Sequence, residues 1–217
     1  MITHVVFDFD GTLADSLRTA VQLYNEYAEK NGYGKFPDDV EEFRTLSIPE
    51  RLKRLGIPFY KLPIVVTQVR RNLRHAMDRI EFNEGIPELL KELRERGLRI
   101  LILSTNDQEN IQAFLKRHSA EQWVDDVYGG GGMFGKARRL RELMKRTGLQ
   151  RDQLVYVGDE LRDVEACKEV GVRVIAVRWG ADADGPLLQA GPDYIADRPT
   201  DVAACVGRWL AMPPAAS

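Results

Sequence analysis

Val5-Val6-Phe7-Asp8-Phe9-Asp10-Gly11-Thr12, close to the first residue, governs how the rest of the chain is read. A β-branched and aromatic run needs cover on both faces, so Thr3 to Phe9 is expected to form a buried strand. Asp8 and Asp10 stand where this apolar run gives way to Gly11-Thr12. Ligands of open α/β sheets bind at the carboxyl ends of strands. Residues two apart on a strand face the same way, so both carboxylates are expected to point toward one spot. Like charges held that close are costly unless a cation or a shared proton relieves them. Hard oxygen ligands select magnesium. A plain turn after the strand accounts for one Asp, which bonds readily to nearby backbone, but poorly for two.

Outward from this stretch the pattern changes twice. Residues 15–82 are helical in character: Leu17, Ala20, Val21 and Tyr24 recur at helical spacing, and Asn31-Gly32 ends that run. Pro37-Asp38 and Ser47-Ile48-Pro49-Glu50 look like helix starts, and Leu62, Val65, Val69, Leu73 and Met77 continue an apolar face. From Gly85 helices and strands alternate. Arg99–Leu103, Leu154–Val157 and Val172–Val177 read as buried strands, Trp123–Tyr128 as a weak one and Tyr194-Ile195 as a short edge strand. Asn106, with Glu109 three later, looks like a cap opening a helix to about Arg117. Alternation of this kind predicts an α/β fold: a doubly wound parallel sheet formed by residues 1–14 and 83–217, with residues 15–82 as a helical insert.

The 217 residues, 44% hydrophobic and 29% charged, suit a globular protein with a sizeable core. Thirty-one basic against 33 acidic residues give a net charge of −2, which provides no field for a polyanion, so nucleic acid is not an expected partner. Cys167 and Cys205 lack metal or redox spacing and read as small buried residues in a reducing compartment. His4, His75 and His118 are scattered and imply no metal site. No signal-peptide pattern and no membrane-length apolar run is visible, so a cytoplasmic protein without membrane contact, monomeric or homodimeric, is expected.

Polar groups gather at the strand ends. Strand one supplies Asp8 and Asp10, the next core strand Ser104, Thr105 and Asn106, a later segment Lys136, and the strand after that Asp159 followed by Asp163. All belong on one rim of a parallel sheet. Together they hold what phosphoryl transfer needs: a carboxylate nucleophile, a second carboxylate as acid and base, and a metal and a lysine against developing charge. A hydroxyl and helix N-terminal amides suit the remaining phosphoryl oxygens.

These residues, in this order, resemble the haloacid dehalogenase superfamily over nearly the whole chain. Asp8-Phe9-Asp10-Gly11-Thr12 is similar to its first motif, Ser104 to its second, Lys136 to its third, and Gly158-Asp159-Glu160-Leu161-Arg162-Asp163 to its fourth. The insert after Asp15-Ser16 sits where that superfamily carries a helical C1 cap. The resemblance implies that Asp8 forms an aspartyl-phosphate and that Asp10 protonates the leaving group. It implies a magnesium ion held by Asp8, the main-chain oxygen of Asp10 and Asp159, with Asp163 supporting it through water or directly. Gly11, Thr12, Ser104, Thr105, Asn106 and Lys136 are then the phosphate-binding set, and a cap moving about Asp15-Ser16 and Phe82-Asn83 gates water. An Asp at the position of Asp10 belongs to the phosphatases and phosphomutases of the superfamily. Tyr156–Asp159, Val174–Gly180 and Pro192–Asp197 are similar to phosphoglycolate phosphatase-like members. A small phosphoester, phosphoglycolate-like or a sugar phosphate, is the substrate so implied. Thr45–Pro49 lacks a glycine that many C1-capped relatives carry in this loop.

Other readings compete. A β-phosphoglucomutase-like enzyme would use the same residues. Gly130 to Lys136 has the spacing of a P-loop, but Ala137 stands where a magnesium-binding Ser or Thr belongs, and Asp8 and Asp10 would have no task. A module that binds phosphate without turnover would keep the same residues. Taken singly, Lys136 is an exposed lysine at a helix start and Ser104 a capping hydroxyl. Asp163 and Glu160 are solvated carboxylates favoured by a helix dipole. That plain role suits Glu160. Arg44, Arg51, Lys53 and Arg54 form a basic cluster in the insert that would suit a substrate carboxylate; a solvated helix face is the plainer reading.

Overall fold

The computed structural model describes residues 1–37, 41–130, 135–182 and 184–211. Its strands are β1 (His4–Phe7), β2 (Arg99–Leu103), β3 (Asp126–Tyr128), β4 (Leu154–Gly158), β5 (Arg173–Val177) and β6 (Tyr194–Ala196). Among the described residues they form one six-stranded sheet in the order β3-β2-β1-β4-β5-β6, parallel throughout. β1 is central: Phe7 lies beside Ile102 of β2 on one side and Val157 of β4 on the other. The chain spreads outward first through β2 and β3, then through β4 to β6. The crevice created by that reversal lies at the carboxyl end, between β1 and β4.

The helices are α1 (Leu17–Asn31), α2 (Glu41–Thr45), α3 (Ile48–Arg54), α4 (Leu62–His75), α5 (Ile86–Glu95), α6 (Gln108–Arg117), α7 (Lys136–Thr147), α8 (Leu161–Val170), α9 (Asp184–Ala190) and α10 (Pro199–Ala211). Alternation along β1 splits the core in two. Val5 and Phe7 join a cluster with Ile100, Ile102, Val155 and Val157, covered by apolar residues of α5, α6 and α10. Val6 joins Leu101, Leu103 and Tyr156 on the opposite face, under α7, α8 and α9. A central parallel strand buried on both faces is why the sequence runs apolar without alternation there. Cys167 and Cys205 are unpaired and buried.

α1 to α4 follow β1 and pack on one another through Tyr24, Ala28, Phe43, Leu52, Leu55, Ile57 and Val65. Tyr24 meets Phe36 edge to face with ring centroids 5.0 Å apart. The chain enters and leaves these helices along adjacent paths. Asp15 N–H donates to Glu81 O at 2.9 Å, Asn83 N–H donates to Leu13 O at 2.9 Å, and Ala14 bridges Phe82 antiparallel. Arg117 of α6 donates to the carbonyls of Met77 and Ile80, tying the return path to the sheet's helical layer.

Local differences from expectation have identifiable causes. β1 stops at Phe7, two residues early, because Leu13 N–H and Ala14 N–H both bond Phe9 O at 2.9 Å and turn the chain. Trp123 belongs to a 3₁₀ turn, Glu121–Trp123, closed by its N–H on Ala120 O, so the weak strand shrinks to β3. α9 has no helix signal at its start, because its Asp-Gly-Pro opening carries breaker residues. Asp38, part of one expected helix start, lies outside the described residues, and α2 begins at Glu41.

Ile102 is fully buried in β2. Ile102→Ala is expected to cost about 2–5 kcal/mol, from lost burial and the cavity left behind. Urea unfolding checks this as a lower midpoint with an unchanged slope.

Candidate active site

The end of β1 delivers Asp8 into the crevice, its N–H bonded to Val157 O at 2.9 Å. Asp8 is buried. One carboxylate oxygen, Oδ1, accepts from Phe9 N–H at 2.7 Å, and Oδ2 accepts from Lys136 Nζ at 2.5 Å. Lys136 is the first residue of α7 and is also buried. Its ammonium donates to Asp163 Oδ1 as well and lies 5.1 Å from the centre of the Tyr156 ring. Tyr156 is anchored from below, its hydroxyl donating to Leu103 O at 3.1 Å. Asp163, in the first turn of α8, accepts Glu160 N–H on Oδ2 at 3.2 Å.

Asp159 follows β4 and is fully buried. It accepts the Thr12 hydroxyl at 2.6 Å on Oδ1 and Ala181 N–H at 2.7 Å on Oδ2. This seat exists because two neighbours lack side chains: a Cβ on Gly11 or Gly180 would collide with the Asp159 carboxylate. Gly11 also carries φ 79°, which a side chain would strain. The Gly11-Thr12 turn is held from outside. Asn83 Nδ2 donates to Gly11 O at 3.0 Å and Thr12 O at 3.1 Å, and Trp179 Nε1 donates to Thr12 O at 3.0 Å.

Beyond β2, Ser104 is buried and its hydroxyl oxygen accepts Asn106 N–H at 3.2 Å. Asn106 is not the helix cap its spacing suggested; Asp107 precedes the first turn of α6. The Asn106 amide donates instead to Asp10 Oδ2 at 2.9 Å, while its Oδ1 accepts Asp107 N–H at 2.8 Å and Asn110 Nδ2 at 3.1 Å. Backbone and a neighbouring amide thus fix the asparagine that fixes Asp10.

The electrostatics follow from burial. Burial works against ionisation of Asp8, yet the Lys136 ammonium beside it holds its carboxyl below the usual carboxylate range. Burial, and then the charges of Glu160, Asp8 and Asp163, push Asp159 well above that range. Asp163 is pushed up by burial against the pull of Lys136. Burial also raises Glu160, to about 7, although Arg162 pairs with it. Asp8, Asp159 and Asp163 are buried with one lysine. An all-oxygen donor set with surplus negative charge fits a hard divalent cation such as Mg²⁺. Among the described residues, the carboxylate oxygens that gather within 4.8 Å of one another are those of Asp8, Glu160 and Asp163.

The expected residues therefore gather at one rim, with differences of detail. Asp159 is not in that group of three; Thr12 and Ala181 engage its oxygens. Asp163 is no solvated carboxylate. Glu160, expected to be one, pairs with Arg162 at the crevice. Its place at the end of a strand, before the first turn, is the signal that would have placed it there. Arg51 leaves the solvated face expected of it: its guanidinium donates to Asp182 Oδ1 at 2.9 Å, and Asp182 Oδ2 accepts Leu161 N–H at 2.8 Å. Lys53 and Arg54 are exposed as expected, and the side chain of Arg44 lies outside the described residues. So do residues 131–134, within the glycine-rich run before Lys136.

Above the rim lies a cavity of about 380 Å³. Asp10, Thr105, Glu160 and Arg162 form its floor, and α1, α3 and α4 form its walls.

A family model described as haloacid dehalogenase-like hydrolase matches residues 5–177. The chain belongs to this family. Within it, the chain is 36% identical over 207 residues to a phosphoglycolate phosphatase from Synechococcus elongatus, covering 95% of this chain and 98% of the relative. It is 24% identical to pyrophosphatase PpaX of Halalkalibacterium halodurans, covering 95% and 97% of the two chains. A solved haloacid dehalogenase-like hydrolase from Streptococcus pneumoniae superposes with a TM-score of 0.77 at 25% identity, covering 94% and 98%. A structure described as a predicted phosphatase from Clostridium acetobutylicum shares the fold, with a TM-score of 0.80 at 18% identity over 96% and 99%. This haloacid dehalogenase-like hydrolase is an enzyme of phosphatase type, phosphoglycolate phosphatase-like in sequence. Among the described residues no helix is long and apolar enough to cross a membrane.

Gly180→Ala is expected to force Asp159 from its seat and to cost about 1–3 kcal/mol through overpacking. Chemical denaturation of the metal-free protein checks this, with Gly185→Ala, where a Cβ meets open space, as the control.

Proposed function

We propose that the enzyme is a magnesium-dependent phosphatase that hydrolyses a small phosphomonoester, phosphoglycolate-like or a sugar phosphate, through an aspartyl-phosphate on Asp8. The observation that carries this reading is the buried set of Asp8, Asp159 and Asp163 around one lysine. Asp8, kept ionised by Lys136, attacks phosphorus in line and forms the acyl phosphate. Asp10, oriented by Asn106, gives its proton to the departing alcohol and then takes one from the water that releases phosphate. Ser104, Thr105, Asn106, Lys136 and the Gly11-Thr12 turn hold the phosphoryl oxygens. Asp8, the main-chain oxygen of Asp10, Asp159 and Asp163 would hold Mg²⁺, which supplies neutralisation of phosphoryl charge.

Residues 1–14 and 83–217 act in this reading as the catalytic core and residues 15–82 as a cap. The paired paths at Asp15 and Asn83 are its hinge, closing for the first half-reaction and admitting water for the second.

Asp8→Asn is expected to lower phosphate release at least about a thousandfold while the protein keeps its far-UV circular dichroism. Near-normal turnover in that variant would overturn the nucleophile assignment. Magnesium should raise the melting temperature, by an amount equivalent to about 2.7 kcal/mol at a hundredfold excess over its dissociation constant. Asp163→Asn should lose most of that rise, measured by calorimetry with and without EDTA.

A further inference from the structure

The cavity above the rim is lined in a way a small polar ester does not use. Its floor is the site itself, where Asp10 and Thr105 face it. Its walls are mostly aliphatic, with Ser16 at the foot of α1 as a polar exception: Leu17 and Val21 from α1, Leu52 from α3, and Val65, Val69 and Leu73 from α4. Tyr24 lines it too, but its hydroxyl donates to Gly34 O at 2.8 Å. The cations at its edge already hold carboxylates, Arg51 that of Asp182 and Arg162 that of Glu160. A hydroxyl or carboxylate pushed against the aliphatic part of these walls gives up water and gains no partner there, whereas a methylene gains by leaving water. The volume of about 380 Å³ lies in the range of small-molecule sites, roughly 300–1,000 Å³, and far exceeds what two carbons fill.

We infer that this cavity is a subsite for the apolar body of a phosphomonoester, so that the enzyme also hydrolyses phosphate esters of apolar alcohols. The inference rests on the phosphatase reading above and adds a substrate class to it. The phosphate group sits at Asp8 and the alkyl or aryl body rises past Asp10 between α1 and α4. Its P–O bond breaks as Asp8 attacks. The alcohol departs with the proton of Asp10, and water supplies both the oxygen that completes free phosphate and the proton that restores Asp10.

The test is phosphate release by the full chain with magnesium from methyl, butyl, hexyl and octyl phosphate, below micelle-forming concentrations, with phosphoglycolate and p-nitrophenyl phosphate alongside. From butyl to octyl phosphate, kcat/KM is expected to rise about three- to fourfold per added methylene. Val69→Phe, which narrows the cavity, should lower the octyl-to-methyl ratio of kcat/KM at least about tenfold, with folding checked by melting temperature. A flat or falling alkyl series, with release from phosphoglycolate or methyl phosphate intact, would overturn the inference and leave the phosphatase reading standing. A folded Val69→Phe variant with an unchanged ratio would also overturn it. Release from no ester at all would remove both.

Discussion

Everything at this site depends on a lysine clamped between two buried carboxylates. Lys136 donates to Asp8 at 2.5 Å and also to Asp163, in an interior where Asp159 is buried as well. Burying charge is expensive, and removal of one partner from such a group costs about 3–5 kcal/mol because the other is left uncompensated. The surrounding structure meets that cost with directed donors: Phe9 N–H on Asp8, Thr12 and Ala181 N–H on Asp159, Glu160 N–H on Asp163. The lysine keeps Asp8 ionised, while burial and mutual repulsion leave the other acids reluctant to ionise. Surplus negative charge of this kind fits a hard divalent cation.

The sheet explains why those groups can meet although they lie up to 155 residues apart in sequence, from Asp8 to Asp163. β1 and β4 are hydrogen-bonded neighbours, so residues just past their ends are neighbours too. α7 and α8 start at the same rim and bring Lys136 and Asp163 with their first turns. The insert leaves the core next to Asp10 and returns next to Asn83, whose side chain holds the Gly11-Thr12 turn. The roof over the site and the turn beneath it are therefore joined by the same few residues.

Much of this could be read from residues in order. The unbroken apolar run of Val5 to Phe7 announced a strand buried on both faces, and the polar residues after each core strand announced the rim. Elsewhere local rules misled, because packing brought partners or burial that the local pattern does not show. Asn106 and Glu109 fit a helix cap, yet the Asn106 amide goes to Asp10, 96 residues away. Glu160 has the look of a solvated acid until β4 and α8 fold it toward Arg162 and the Asp8 carboxylate. Arg51 fits a solvated helix face, but Asp182 reaches it from the core. Breaker residues at the start of α9 hid a helix that packing stabilises through buried Leu187.

The chain alone determined the parallel α/β architecture, the place of the helical insert and the residues gathered at the rim, because apolar periodicity and strand-end polarity are local properties that need no partner to be seen. Tertiary structure alone decided which oxygen meets which donor, that Asp159 is seated by Thr12 and Ala181 while Glu160 joins Asp8 and Asp163, and that the roof of the site is aliphatic. Those outcomes depend on the direction in which side chains from separate elements point once packed. Hydrogen-bond geometry and the shape of a cavity are properties of that packing, not of any one segment.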